Sequence, residues 1–215
     1  MIQAGDGAAP ASPPRRRRGR PAKLSRESIL RAALALLDRD GADALTMRRL
    51  GAELGVEAMS LYRHVADRAA LLDALADHLA GQFEPRAASE DWPEALRHFA
   101  SELRAIARRH PAAFALVGTR VLSTPNELRP IEAVLASLRR GGFTPARAVS
   151  AYRLVSAYAR GYALSEVEGF AIDVPAEVTL PAIRALGRRL ASEPSDANFR
   201  AGVETIIAGL RGEQP

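Results

Sequence analysis

The sequence predicts an all-α protein, with a small N-terminal unit of three helices followed by a larger helical body. Three observations predict it. From Ser25 onward apolar residues recur at spacings of three and four. Most of these runs open on a capping residue and close on glycine or just before proline. No stretch shows the apolar and polar alternation of a half-buried strand. At 215 residues the chain is long enough for one or two domains with buried cores.

Residues 1–24 are rich in Ala, Pro, Gly and Arg without apolar periodicity and read as a disordered basic arm. Ser25 is a good N-cap for a first helix whose broad apolar face is Ile29, Leu30, Ala33, Leu34, Leu36 and Leu37, with Gly41 as its stop. Thr46 caps a short second helix, MRRLGAEL, which buries Leu50 and Leu54 and ends at Gly55, a residue able to turn the chain at positive φ. A third helix follows from about Glu57 to Val65. These elements make a unit over 25–68, with the body over 69–215.

In the body, Asp67 caps a helix carrying Leu71, Leu72, Leu75, Leu79 and Phe83, closed around Pro85. Asp91, Trp92, Pro93 and Glu94 read as a capping box with proline at the first helical position, opening a helix to His110 before Pro111. Further helices are expected near 112–117, 126–140, 145–165, 180–191 and 198–211. Glu166 to Thr179 lacks periodicity and reads as a loop.

Charge is unevenly placed. Residues 1–68 hold 13 Lys and Arg against 8 Asp and Glu, whereas 69–215 hold 17 against 17, so the whole net charge of +5 sits in the first third. A polyanion is attracted there because neutralised phosphates release counterions; the alternative is a solubilising tail. Cysteine is absent, which excludes disulfides, thiolate metal sites and a cysteine nucleophile. No apolar run approaches the roughly 18 residues of a membrane span, and no apolar stretch directly follows the N-terminal arginines, so a soluble, cytoplasmic protein is expected.

Two short helices joined through Gly55, the second opening on small and polar residues, have the spacing of a helix-turn-helix, although a generic three-helix bundle shares it. The charge map favours DNA. In the arm, Gly19, Arg20 and Pro21 are similar to the minor-groove core of AT-hook peptides, which makes Arg18 and Arg20 candidate contacts to a narrow groove or to phosphates.

The stretch LTMRRLGAELGVEAMSLYRHVADRAALLDAL resembles the DNA-binding segment of the TetR family, and especially its tetracycline-repressor branch. The resemblance continues through Trp92, His110, the triplet Gly118, Thr119, Arg120, the GGFTP turn and FRAGVETIIAGL, covering roughly 25–212. It implies a ligand-responsive, homodimeric repressor that leaves a palindromic operator when an inducer binds. It assigns a guanine contact to Arg48 and base edges to Ala58, Met59 and Ser60. Tyr62, His64 and Arg68 would hold phosphates, the alternatives being packing for Tyr62 and a helix C-terminal dipole contact for His64. Met47 stands where a hydroxyl residue often touches phosphate.

The helix at 145–165 and the last helix are rich in Ala, Ser and Gly, which lets helix axes approach closely. In the family such a pair forms a four-helix dimer bundle; the alternative is packing within one chain. Positions aligned with the family's ligand pocket are Phe99, Leu103, His110, Leu116, Thr119, Ile131, Val134, Leu138, Tyr152, Ser156 and Ser165, for most of which ordinary core packing is the alternative. Tetracycline repressors carry histidine where this chain has Glu84, a metal-binding histidine at Leu116 or Val117, and glutamate at Ser165. Leu and Ser do not replace His and Glu around a hard cation, so the expected inducer is an apolar or aromatic molecule with one or two polar groups, with no metal and no cofactor.

An enzyme is disfavoured: His64, His78, His98 and His110 form no HExxH pair, and no GxxxxGK[ST] loop or GxSxG elbow occurs. An architectural protein built on the AT-hook-like arm explains the charge but leaves the large neutral body without a role.

Overall fold

The computed structural model describes residues 24–84, 91–169, 175, 177, 179–190 and 195–212. Among them are ten α-helices, one 3-10 turn at Ala42–Ala44 and no strand, as the periodicity predicts. The N-terminal unit, the reading unit expected from the sequence, holds α1 (Arg26–Asp40), α2 (Met47–Leu54) and α3 (Ala58–Leu61). The connecting helix is α4 (Arg68–Ala80). The body holds α5 (Trp92–Arg109), α6 (Pro111–Val117), α7 (Pro125–Arg140), α8 (Pro145–Glu168), α9 (Pro181–Leu190) and α10 (Asp196–Gly212).

Capping fixes most of the ends. Ser25 and Ser28 form a reciprocal box, Thr46 accepts from the Arg49 N–H and Asp67 from the Ala70 N–H, and Gly41 closes α1 at φ +79°. A second box, Thr124 with Glu127, starts α7 slightly earlier than its apolar pattern predicts. Asp91 occupies the N-cap of α5, but its side chain does not make the capping hydrogen bond that the expected box requires.

Three boundaries differ from the sequence reading in ways that bear on the site. α3 keeps helical geometry only to Leu61 and tapers into turns, with the Val65 N–H still reaching Leu61 O at 3.0 Å. α4 stops at Ala80 because Gly81 caps it through Asp77 O, leaving Phe83 in the following turn. α8 runs on to Glu168, so Glu166, expected in a loop, is helical. The arm over 1–24 lies outside the described residues except for Leu24, as does most of the expected loop after Gly169.

Two apolar clusters organise the molecule. The first joins α1, α2 and α3 to α4 through Ile29, Leu36, Leu50, Leu61, Leu71 and Leu75, and extends into α6 through Ala113 and Phe114. The second gathers α5, α7, α8 and α10 around Leu96, Leu138, Val155 and Ile207. α4 therefore shares a core with the reading unit while packing on the body. Charged clamps tie the body together: Arg104 of α5 donates to Glu166 of α8 at 2.6 Å and to Asp196 of α10 at 2.8 Å, with its guanidinium 4.6 Å above the Phe199 ring. Arg97 donates to Glu204 at 2.6 Å. None of the helices among the described residues is long and apolar enough to cross a membrane.

Candidate DNA interface and ligand cavity

The turn between α2 and α3 needs glycine twice. Gly55 sits in the left-handed region at φ +67°, which costs a residue with a Cβ. At Gly51 a Cβ would lie 2.9 Å from Val56 O and 3.1 Å from Ala58 N, so only a bare Cα lets the turn fold back on α2. Leu50, Leu61 and Val65 anchor the inner side, all buried. With those positions facing inward, Arg48, Met59, Tyr62, His64 and Arg68 are exposed, Met59 at 73% and Tyr62 at 42%, and Ala58 and Ser60 are half-exposed. Tyr62 belongs to neither apolar cluster. Arg18 and Arg20 lie outside the described residues.

Ion pairs sort the basic side chains. Arg49 donates to Asp40 at 2.5 Å, and Arg39 donates to Glu53 at 3.0 Å and to Asp40 at 3.1 Å. Hydrogen bonding from Arg39 holds both the Asp40 and Glu53 carboxyls below their usual range. Among the described residues no such partner engages Arg48, which leaves that guanidinium available to an external acceptor.

The second feature is a small, half-open cavity of about 90 Å³ between α4, α5, α6, α7 and α8. α4 and the turn after it contribute Ala76, Leu79, Ala80 and Phe83. The aromatic side is continuous: Phe83 and Phe99 are 5.5 Å apart between centroids, and Tyr152 meets Phe99 edge to face at 5.6 Å. Phe114 closes the α6 side. The α7 wall carries Glu127, Pro130 and Ile131, where the proline removes an N–H that a continuous helix would bond. Glu127 is buried, and its Oε2 accepts the Ser123 and Thr124 N–H groups at 2.8 and 2.9 Å. Arg160 of α8 also lines the cavity.

Of the eleven pocket positions read from the sequence, the structure brings Phe99, Leu103, Ile131 and Tyr152 to the cavity. Val134 and Leu138 are buried in the second core, and Leu116 packs against the first. Thr119 is exposed and Ser156 is buried away from the lining. Ser165 donates to Tyr162 O of its own helix at 2.8 Å. Glu84 is exposed, with its carbonyl 3.0 Å from His98 Nε2. His110 faces the reading unit: its Nδ1 lies 2.8 Å from Asp38 of α1 and its Nε2 3.2 Å from Gln82. The α4 face, Phe114, Glu127 and Arg160 escaped the sequence reading. The Thr124–Glu127 box was the one local signal that a carboxylate turns inward there.

The small residues of α8 divide between two faces. Ala148, Ala151, Val155 and Ala159 are buried within the body, while Ala146, Val149, Ser150, Leu154, Ala157 and Gly161 are exposed. On α10, Val203 and Ile207 are buried and Ala201, Ala208 and Gly209 are exposed.

Comparisons with known proteins agree with this architecture. Residues 29–75 match the bacterial regulatory proteins of the tetR family, and residues 84–213 match the tetracyclin repressor-like C-terminal domain. The class D tetracycline repressor of Escherichia coli is 35% identical over 200 residues, covering 88% of this chain and 90% of that protein. An HTH-type transcriptional regulator of Saccharopolyspora erythraea is 38% identical over 144 residues, covering 66% of this chain but only 61% of that protein. Among solved structures, ActR of Streptomyces coelicolor in complex with (S)-DNPA superposes with a TM-score of 0.76 at 32% identity, covering 90% of this chain and all of that one. A possible TetR family regulator of Streptomyces coelicolor A3(2) gives 0.79 at 30% identity, covering 88% of this chain and all of that one. The chain belongs to the TetR family of bacterial transcriptional regulators, which are not enzymes, and carries the tetracycline-repressor type of C-terminal domain.

Proposed function

We propose that this chain is a cytoplasmic homodimeric repressor, with an N-terminal reading unit over 25–68 and a ligand-binding and dimer-forming body over 69–215. It leaves a palindromic operator when an aromatic inducer other than magnesium-tetracycline fills the cavity. The observation that carries the reading is the shared use of α4, which walls the cavity through Ala76, Leu79 and Ala80 and packs into the core of the reading unit through Leu71 and Leu75. A ligand that favours a different α4 position shifts the population of DNA-competent dimers by its differential affinity for the two states.

Arg48 and Met59 meet base edges, Met59 through apolar contact such as a thymine methyl, and Tyr62, His64 and Arg68 fix the register on phosphates. Dimerisation supplies two reading heads about 34 Å apart, and the exposed small-residue faces of α8 and α10 suit a four-helix interface. The aromatic lining of Phe83, Phe99, Phe114 and Tyr152 supports a planar inducer. The related regulator ActR has been solved with (S)-DNPA and with actinorhodin, whereas a relative from Acinetobacter baumannii has been solved with minocycline.

Binding of wild type, Arg48→Ala and Tyr62→Ala to the DNA upstream of the gene and its neighbours tests the first half. Both variants should bind more weakly, and undiminished affinity in both overturns the assignment. Thermal shift with tetracycline plus Mg²⁺ tests the second: no more than a marginal shift is expected, and a large saturable stabilisation overturns the exclusion of that inducer.

A further inference from the structure

Among the described residues, Arg160 is the one cation lining the cavity. Its Nε is fully buried and has no hydrogen-bond partner, and no ion pair engages its guanidinium among the described residues. The other arginines that bridge elements of the body behave differently: Arg97 holds Glu204, Arg104 holds Glu166, and Arg120 holds Asp73 of α4 at 2.6 Å. A guanidinium stays charged at any physiological pH, so an N–H donor buried without an acceptor is held at a cost that a partner would remove.

The protein supplies no such partner from the cavity wall. Among the described residues Glu127 is the only carboxylate in the lining, and its Oε2 is held at the start of α7 by the Ser123 and Thr124 N–H groups. Tyr152 is the remaining polar side chain in the lining, and its ring is engaged edge to face with Phe99. The cavity thus offers an aromatic slot with the Arg160 guanidinium at its α8 wall and, at its α7 wall, the Glu127 carboxylate already bonded to backbone N–H groups.

We infer that Arg160 receives an acidic group of the inducer, which makes the ligand class an aromatic anion: a planar body against Phe83, Phe99, Phe114 and Tyr152, with a carboxylate, sulfonate or ionised phenol on the guanidinium. A guanidinium donates to neutral acceptors as well, but only an anion adds the ion-pair attraction, so the site favours an acid over its neutral analogue of the same shape. This assignment rests on the cavity being the inducer site.

Two fluorescent dyes separate the assignment from that premise. 8-Anilinonaphthalene-1-sulfonate and N-phenyl-1-naphthylamine share one aromatic body, and only the first carries a sulfonate. Titrating each into full-length wild type, Arg160→Gln, Arg160→Lys and the cavity-filling Ile131→Trp reads out charge and place together. Arg160→Gln is expected to weaken the sulfonate dye about tenfold and the neutral dye by less than about twofold, with Arg160→Lys retaining part of the difference. Its melting temperature should match or exceed that of wild type, because an unpaired buried cation has been removed; Arg160→Met, of similar length, serves if the Gln variant does not fold. Ile131→Trp should expel both dyes. If Ile131→Trp expels both while Arg160→Gln weakens them equally or not at all, the cavity stands and the anion assignment falls. If Ile131→Trp leaves both dyes bound, the cavity is not the ligand site and both readings fall.

Discussion

Arg48 and Arg49 are adjacent and chemically identical, yet substituting them with alanine should have different consequences for operator binding. Arg49 is held by Asp40 at 2.5 Å, whereas no partner engages Arg48 among the described residues. If each protomer loses one bidentate arginine–guanine contact, the cost is about 1–3 kcal/mol per half-site. Two half-sites raise this to about 2–6 kcal/mol, or roughly 30-fold to more than 10⁴-fold in Kd. Arg49→Ala breaks a surface pair, leaves Asp40 with Arg39, and should weaken binding by less than about fivefold. Fluorescence anisotropy with a labelled operator, at one fixed salt concentration and with excess random DNA, measures both. Repeating the titrations across salt adds a second axis. Arg68→Ala, which removes a phosphate contact from each protomer, should lower the slope of log K against log salt by about 2 for the dimer, while Arg48→Ala chiefly lowers specificity. Equal losses for Arg48→Ala and Arg49→Ala refute the reasoning, as does an Arg48→Ala loss that is the same on random DNA.

Three further outcomes follow from the body. Arg104→Met leaves Glu166 half-buried without its cation and should cost about 3 kcal/mol, a fall in melting temperature of about 6–12 °C, with Arg104→Met/Glu166→Leu recovering most of it; an unchanged melting temperature contradicts the clamp. Leu154→Glu, at a side chain 50% exposed on the outer face of α8, should convert the dimer to monomer in sedimentation velocity, and persistence of the dimer at micromolar concentration places the interface elsewhere. Hydrogen bonding from Arg97 holds the Glu204 carboxyl below its ordinary value of 4.5 in the folded protein, so its contribution to stability is fully present above that value and is lost as pH falls through the lower folded one. Denaturant titrations should therefore show a flatter loss of stability below about pH 4.5 in Arg97→Ala than in wild type, and parallel curves contradict the pairing.

Much of the fold is legible because capping acts over three or four residues. Ser25, Thr46 and Asp67 each bond a backbone N–H three positions on, and Gly41 and Gly55 each supply a positive φ, so the chain itself carries the starts of α1, α2 and α4 and the stops of α1 and α2. The errors share a cause. Phe83 looks like the last apolar turn of α4 by spacing, but Gly81 ends the helix and Phe83 reaches the cavity from a turn. Glu166 looks like the start of a loop because nothing near it is periodic. Its side chain is held by Arg104, 62 residues away, and no window of local sequence carries that relation.

The cavity shows the same limit more sharply, because helical periodicity reports which face of a helix is buried and not what it is buried against. Val134 and Ile131 lie three apart on α7, yet the first packs into the second core and the second borders open space. His110 aligns with pocket positions of its family, but the end of α5 aims it at Asp38. Charge is harder still to place from sequence. Arg97, Arg104 and Arg160 are alike as letters among 30 Lys and Arg, and what separates them is whether folding delivers a carboxylate. Glu204 arrives 107 residues downstream of Arg97, and Glu166 arrives 62 downstream of Arg104. For Arg160 none arrives among the described residues, and the only carboxylate in its cavity is already held by the N-terminus of α7. A structural role for an arginine is thus established by a partner in the same chain, and a ligand-binding role is indicated when a buried guanidinium N–H at a cavity wall lacks one.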